Sequence, residues 1–172
     1  GYFYCDGANF NAIVGRVRPG DLGVDAMHIN LHKTFSTPHG GGGPGSGPTV
    51  LSDRLADFAP LPYVVSGDDG FALVENTGDA SDQPFGRMVA FHGQMGMYVR
   101  ALTFKLSHGA DGIEQAARDA VLNANYLKAK LSDVFNAPFD GQPCMHEVLF
   151  DDSSLKGTGV STLDLAKAMI DE

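Results

Sequence analysis

The sequence predicts an α/β fold in which a small sheet near the amino terminus is followed by helices. Three segments, GYFYC at residues 1–5, AMHINL at 26–31 and TVLSD at 49–53, have the length and composition of strands. The second half carries apolar residues at helical spacing. Asp6 and Lys33 both lie at the carboxyl ends of predicted strands. Because ligands of α/β sheets bind beyond the carboxyl ends of strands, we expect a functional site at this edge.

Helical patterns fill most of residues 85–131, with an interruption at Gly109. Asp111 with Glu114, three residues further on, has the spacing of a capping box, and Ser161 with Asp164 repeats it at a last helix. Between these helices, FNAPFDGQP breaks the pattern and MHEVLFD has the composition of a strand.

The change from a long helix to a new strand-and-helix unit predicts a domain boundary near residues 136–144. We therefore assign residues 1–135, with the long helix, to one domain and residues 136–172 to the start of another. The chain does not begin with Met, opens within a strand pattern and stops within a helical one. We therefore expect it to be a fragment of a longer protein.

Composition and charge exclude several classes of function. Of the 172 residues, 43% are hydrophobic and 19% are charged, which is typical of a globular protein. The net charge of −9 arises from residues 51–172, and no basic stripe suited to nucleic acid is visible. No apolar run could span a bilayer. The two cysteines, Cys5 and Cys144, form neither a disulfide framework nor a zinc-finger spacing. We expect a cytoplasmic protein without nucleic-acid or membrane partners, its cysteines buried as small hydrophobic residues.

The segment HINLHKTFSTPHGGGGPGSGP, residues 28–48, places Lys33 directly ahead of six glycines. His28 and His32 are four residues apart, a spacing found in zinc sites, although a strand would hold them too far apart for one ion. A nucleotide phosphate loop is excluded because its lysine follows the glycines. A third interpretation makes Lys33 the amine that forms an imine with pyridoxal phosphate, with Asp6 as the anion near the ring nitrogen. The plain alternative is a solvated lysine and a turn aspartate.

Three segments, YCDGANFNAIVG, DAMHINLHKTFSTPHGGGGPGSGP and PCMHEVLF, resemble the glycine decarboxylase P-protein family of the glycine cleavage system. The resemblance runs the whole length of the chain and is strongest to subunit 2 of the two-subunit bacterial form. It implies the aspartate-aminotransferase-type fold of pyridoxal-phosphate enzymes, called fold type I. The chain would then form the carboxyl-terminal part of the large, cofactor-binding domain and the start of the small carboxyl-terminal domain.

The resemblance also implies roles at the cofactor. Lys33 matches the Schiff-base lysine, and Asp6 matches the aspartate that pairs with the pyridinium nitrogen. Ala8 matches a small residue that lies against the ring, and His32 matches a residue near the cofactor phosphate. No metal is implied.

Residues expected to line the substrate mouth are His39, Gly40, Gly41, Gly42 and Gly43. The remaining histidines are expected to be structural: His28, His92, His108 and His146.

The implied activity is that of an aminomethyl-transferring glycine dehydrogenase, an oxidoreductase of glycine catabolism. It would decarboxylate glycine and pass the aminomethyl group to the lipoyl arm of H-protein. The implied partners are glycine, lipoylated H-protein, P-protein subunit 1 and a second copy of the heterodimer. The alternative is another fold-type I enzyme, such as an amino-acid decarboxylase. A non-catalytic subunit resembling subunit 1 would lack Lys33. Because the family places other cofactor contacts upstream of the lysine, we expect the chain alone to be inactive.

Overall fold

The computed structural model describes residues 1–76, 78 and 83–172. These residues form two compact units, one of residues 1–10 and 16–110 and the other of residues 11–15 and 111–172. The units reflect contacts within this chain, so the assignment of residues 1–135 and 136–172 to two domains stays a prediction. Among the described residues, no helix combines the length and the apolar character needed to cross a membrane.

The first unit contains the predicted sheet, whose strands are β1 (Tyr4–Gly7), β2 (Ala26–Ile29) and β3 (Thr49–Leu51). They lie in the order β1-β2-β3, with β1 parallel to β2 and β3 antiparallel to it. The predicted second strand was too long at its end. It stops at Ile29, and a short helix α1 (Leu31–Thr34) follows, because Asn30 takes the extended backbone conformation of a helix N-cap.

Close approach between β1 and β2 depends on Gly7. A Cβ atom at this position would lie 2.2 Å from the Met27 side chain and 2.4 Å from the carbonyl oxygen of His28. Only glycine therefore allows the two strands to pack here. The side chain of Met27, in β2, is buried. Leu31 and Phe35, in and just after α1, are buried as well and belong to the same hydrophobic core. The core thus fixes the chain on both sides of the carboxyl end of β2.

A two-stranded antiparallel hairpin, β4 (Tyr63–Gly67) and β5 (Gly70–Val74), was not predicted from the sequence. The dipeptide Asp69-Gly70, a strong hairpin signal, joins the turn to β5, and Gly70 has a positive φ of 108°. The signal was therefore present in the sequence.

The long helix α2 (Met95–Leu131) is interrupted at Gly109, whose φ of 67° and ψ of 179° are not helical. The interruption predicted at this glycine is confirmed. The predicted start near residue 85 is wrong, because Gly86 and Gly93 have positive φ values of 104° and 101° and the helix begins only after them.

The last helix, α3 (Thr162–Asp171), opens with the predicted capping box. The Ser161 hydroxyl accepts from the Asp164 amide at 3.2 Å, and the Asp164 carboxylate accepts from the Ser161 amide at 2.9 Å. The strand predicted for MHEVLFD is wrong. Within the described part of the chain, residues 145–151 form no strand, since no neighbouring segment pairs with them.

In the second unit, α2 holds the loop of residues 139–144 through two polar side chains. Asn125 donates to the Cys144 carbonyl at 2.9 Å and accepts from the Cys144 amide at 2.8 Å. Lys128 Nζ donates to the carbonyls of Asp140 and Gln142, each at 2.7 Å. Cys144 is only half-buried, and so is Cys5 on the edge strand β1, so the prediction that both are buried is wrong.

Asp25 ties three segments of the first unit together. Its buried carboxylate accepts from the Phe3 amide at 2.9 Å, the Ser52 hydroxyl at 3.1 Å and the Arg54 guanidinium at 2.9 Å. The backbone hydrogen bond from Phe3, aided by Ser52 and Arg54, lowers the pKa of Asp25 against the opposing effect of burial. The ionised carboxylate therefore stabilises the fold.

We expect Asp25→Asn to lower the melting temperature of the full-length protein at pH 7. Since the pKa of Asp25 is lowered by folding, its contribution is complete above the unfolded pKa of about 3.9 and is lost as pH falls through the folded pKa. The difference from wild type in calorimetry should thus shrink below about pH 4. Asp53→Asn, at an exposed site, is the control. An equal melting temperature at pH 7, or a difference that persists in acid, would contradict this account.

Candidate functional site

The sheet brings the two predicted chemical groups to one edge. Because β1 and β2 are parallel, their carboxyl ends lie together, and the register pairs Asp6 of β1 with His28 of β2. The helix α1 continues directly from this end of β2 and carries Lys33. Asp6, one of the last two residues of β1, and Lys33, just beyond β2, therefore lie toward the same edge. The sequence had placed Asp6 in a turn after its strand, whereas β1 extends through it to Gly7.

Lys33 projects from a helical turn that is firmly anchored. The residues beside it, Leu31 and Thr34, are buried. The Leu31 amide donates to the Ser46 carbonyl at 2.9 Å, and the Thr34 hydroxyl accepts from the Phe10 amide at 3.0 Å. Lys33 itself is exposed. Its backbone is therefore fixed from two sides while its amine stays accessible to a reactant.

Asp6 organises the residues that follow β1. Its Oδ1 atom accepts from the Ala8 amide at 2.9 Å, which forms a local turn closed by the aspartate side chain. Ala8 is half-buried, whereas 71% of the Asp6 side chain is exposed. The turn therefore holds Ala8 beside the carboxylate and leaves that carboxylate open.

His32 and the glycine-rich loop contact each other through His39. The rings of His32 and His39 have centroids 4.6 Å apart, and His39 Nδ1 accepts from the Gly42 amide at 2.8 Å. Gly45 lies close to this pair, since a Cβ there would lie 3.2 Å from His39 and 3.7 Å from His32. The loop therefore packs beside His32.

The glycines of this loop are required by its backbone. Gly40, Gly41 and Gly42 have φ values of 61°, 67° and 104°, which other residues rarely adopt. Gly43 has no positive φ value. All four glycines are exposed. Three successive positive φ values place unshielded backbone next to His39, where a small ligand could approach closely.

Two buried polar atoms near Lys33 have no hydrogen-bond partner among the described residues. They are His32 Nδ1 and Thr37 Oγ1. Burial lowers the pKa of His32, and electrostatic interactions with the neighbouring His39 and Lys33 lower it further, while a hydrogen bond to the Ser46 backbone opposes this. His32 is therefore neutral near pH 7. Buried polar groups are normally paired, so both atoms suit a polar ligand.

Thr37 was missed by sequence reasoning. Its only sequence signal is its position between Lys33 and the glycine run, and hydroxyl burial without a partner becomes visible only in the packed structure.

The residues at this edge fit pyridoxal phosphate. They supply an accessible amine at Lys33, an open carboxylate at Asp6 and two buried polar atoms that lack partners. The zinc alternative gains no support. His28 lies on β2 and His32 on α1, and no group of three or more His, Cys, Asp or Glu residues in the described ranges could hold a metal.

The sequence of this chain is similar to those of glycine dehydrogenases. Residues 116–172 match the family described as the glycine dehydrogenase C-terminal domain. The chain is 74% identical over 172 residues to "Probable glycine dehydrogenase (decarboxylating) subunit 2" of Caulobacter vibrioides, covering 99% of this chain and 33% of that protein. It is 50% identical over 171 residues to the protein of the same description from Oceanobacillus iheyensis, covering 99% and 34%.

The resemblance to the P-protein, and to its subunit 2, is confirmed. The chain spans about a third of the length of the P-protein relatives that it matches. Its fold resembles a crystal structure of glycine decarboxylase, the P-protein of the glycine cleavage system, in inhibitor-bound form. That likeness has a TM-score of 0.59 at 20% identity and covers 77% of this chain and 31% of the other. The predicted fold, of the aspartate-aminotransferase type called fold type I, is thereby confirmed. The roles of the individual site residues stay predictions.

Proposed function

We propose that this chain is the lysine-bearing part of a pyridoxal-phosphate-dependent glycine dehydrogenase of the P-protein type. The observation that carries the proposal is the placement of Asp6 and Lys33 at the carboxyl ends of two neighbouring parallel strands, in a chain similar over its length to proteins of that description. When bound, pyridoxal phosphate supplies the electron sink that stabilises the carbanion left after glycine loses CO2.

Lys33 has two tasks in this proposal. Its Nζ would hold the cofactor by condensing with the aldehyde, with loss of water, and would be displaced when the amine of glycine takes its place. The released amine can then accept and return a proton. Fixing α1 through Leu31 and Thr34 limits the positions that Nζ can reach, which favours both steps.

The other residues bind and orient. Asp6 holds a proton on the ring nitrogen, Ala8 packs against the ring, and His32 and Thr37 offer polar atoms to the cofactor. The roles of His32 and Thr37 are supported because each has a buried polar atom with no hydrogen-bond partner among the described residues. His39 and the loop of Gly40–Gly43 line the mouth through which glycine enters, supported by their exposure and by the mutual contact of His39 and Gly42.

The second substrate is a lipoyl-bearing H-protein, which receives the aminomethyl group as its disulfide is reduced. The full enzyme assembles with P-protein subunit 1, as the description of its relatives as subunit 2 suggests, and with a second copy of that heterodimer. We place it in the cytoplasm. These assignments rest on similarity.

Exchange of labelled bicarbonate with the carboxyl group of glycine tests the proposal. With the full-length enzyme and its partner subunit, we expect exchange to rise strongly when lipoylated H-protein is added, because the lipoyl arm takes up the aminomethyl group. H-protein without its lipoyl group is the control and should give no rise. Rapid release of free methylamine, unaffected by H-protein, would instead favour an amino-acid decarboxylase of the same fold.

A further inference from the structure

On one face of β1 and β2, Asp6 is linked to two residues, Tyr4 and His28, to which the proposed function gives no role. Residues two apart on a strand share a face, so Tyr4 and Asp6 of β1 point the same way. The register pairs Asp6 with His28 of β2. His28 lies between them, with its Nδ1 bonded to the Tyr4 hydroxyl and its Nε2 3.5 Å from Asp6 Oδ1. The Tyr4 and His28 rings are nearly parallel, at 7°.

This arrangement determines the direction of the hydrogen bonds. A carboxylate only accepts, so the His28 nitrogen that faces Asp6 is the one that carries hydrogen. In the neutral ring, Nδ1 is then the acceptor and the Tyr4 hydroxyl is the donor. On its other side, β2 pairs His28 with Thr49, which does not titrate. Tyr4 and Asp6 are thus the titratable groups that face the ring from the neighbouring strand.

One oxygen of Asp6 is placed by two neighbours. Oδ1 accepts from the Ala8 amide and faces His28. The His28 separation of 3.5 Å is longer than a formed hydrogen bond, and such contacts commonly tighten when a catalytic group engages its ligand. The hydrogen bond from Ala8 on one side and the His28 ring on the other restrict the positions of an otherwise exposed carboxylate.

We propose that His28 is a positioning residue for Asp6, and that Tyr4 fixes the tautomer and orientation of the His28 ring. The inference rests on the proposed pairing of Asp6 with the ring nitrogen of the cofactor. It revises the expectation from sequence that His28 is merely structural. A positioned carboxylate keeps the ring nitrogen protonated to higher pH than one that rotates freely, because the charged pair forms in a larger share of molecules.

The test follows the protonation of the ring nitrogen directly. Full-length enzyme is loaded with ¹⁵N-labelled pyridoxal phosphate and titrated by solid-state ¹⁵N NMR. We expect His28→Leu to lower the pH midpoint of ring-nitrogen deprotonation by about one unit, which corresponds to about 1.4 kcal/mol. His28→Gln keeps an N–H donor toward Asp6 and should restore most of the shift. Tyr4→Phe, at an exposed residue, should give a smaller shift in the same direction.

Controls separate this inference from the proposed function. His108→Leu, an exposed histidine of α2, should leave the midpoint unchanged. Asp6→Asn should move it further than any His28 variant. If Asp6→Asn moves the midpoint and folded His28→Leu and Tyr4→Phe do not, the inference about His28 is wrong and the role of Asp6 stands. If Asp6→Asn leaves the midpoint unchanged, both are wrong. Should His28→Leu fail to fold, an unchanged midpoint in Tyr4→Phe would still overturn the inference.

Discussion

Replacing Lys33 with alanine is expected to lower the turnover of glycine by the full-length enzyme about 10²–10⁴-fold, the range typical for loss of a positioned proton-transfer group. The covalent attachment of the cofactor would be lost as well. Folding should change little, because Lys33 is exposed and the anchoring of α1 runs through Leu31 and Thr34. Turnover and melting temperature measured on the same preparation check both statements.

Lys105 provides the matched control for Lys33. It lies in the same compact unit, with its Nζ 5.6 Å from the centre of the Phe35 ring, so it is a nearby exposed amine without a strand-end position. Lys105→Ala should retain turnover close to wild type. A fully active Lys33→Ala enzyme, or one that loses activity only because it unfolds, would contradict the proposed role.

Replacing Asp6 with asparagine is expected to reduce turnover about 10–150-fold, because a hydrogen bond to a charged group contributes about 1.5–3 kcal/mol. The loss should fall on turnover more than on cofactor binding, since negative charge reaches the ring mainly after CO2 departs. Asparagine keeps the shape and can still accept from the Ala8 amide, so the local turn survives. Turnover and bound cofactor are measured in parallel.

Asp21→Asn is the control for Asp6. Asp21 is also exposed, its carboxylate lies 3.8 Å from Arg18, and it belongs to the segment that precedes β2, so its replacement removes one surface charge ahead of the amino end of that strand. It should leave turnover unchanged. If Asp6→Asn behaved like Asp21→Asn, Asp6 would be a turn residue only.

Much of the fold was accessible from sequence because local signals agreed with the packing. The strands β1 to β3, the interruption at Gly109 and the capping box at Ser161 each rest on residues a few positions apart. The change from strand to helix after Ile29 was missed because Leu31 continues the apolar pattern while its backbone turns into α1. The strand predicted for MHEVLFD failed because a strand also needs a partner.

The candidate site likewise has features that could be predicted from the sequence and features that could not. The common edge of Asp6 and Lys33 follows from parallel strands and could be predicted. The contact of His28 with Asp6 depends on strand register, and the missing partners of His32 and Thr37 depend on packing, so a one-dimensional pattern shows neither. Lys33 is exposed in this chain, although imine-forming lysines are favoured by partial desolvation.

Borohydride reduction of the full-length, cofactor-loaded enzyme, followed by peptide mapping, tests the central claim most directly. Reduction converts the bond between a lysine amine and the cofactor aldehyde into a stable linkage, and so it records which lysine holds the cofactor. We predict that the pyridoxyl label lies on Lys33, in the peptide that contains the glycine-rich loop. Label on Lys105, on Lys128 or on a lysine outside this chain, with Lys33 unmodified, would contradict the account.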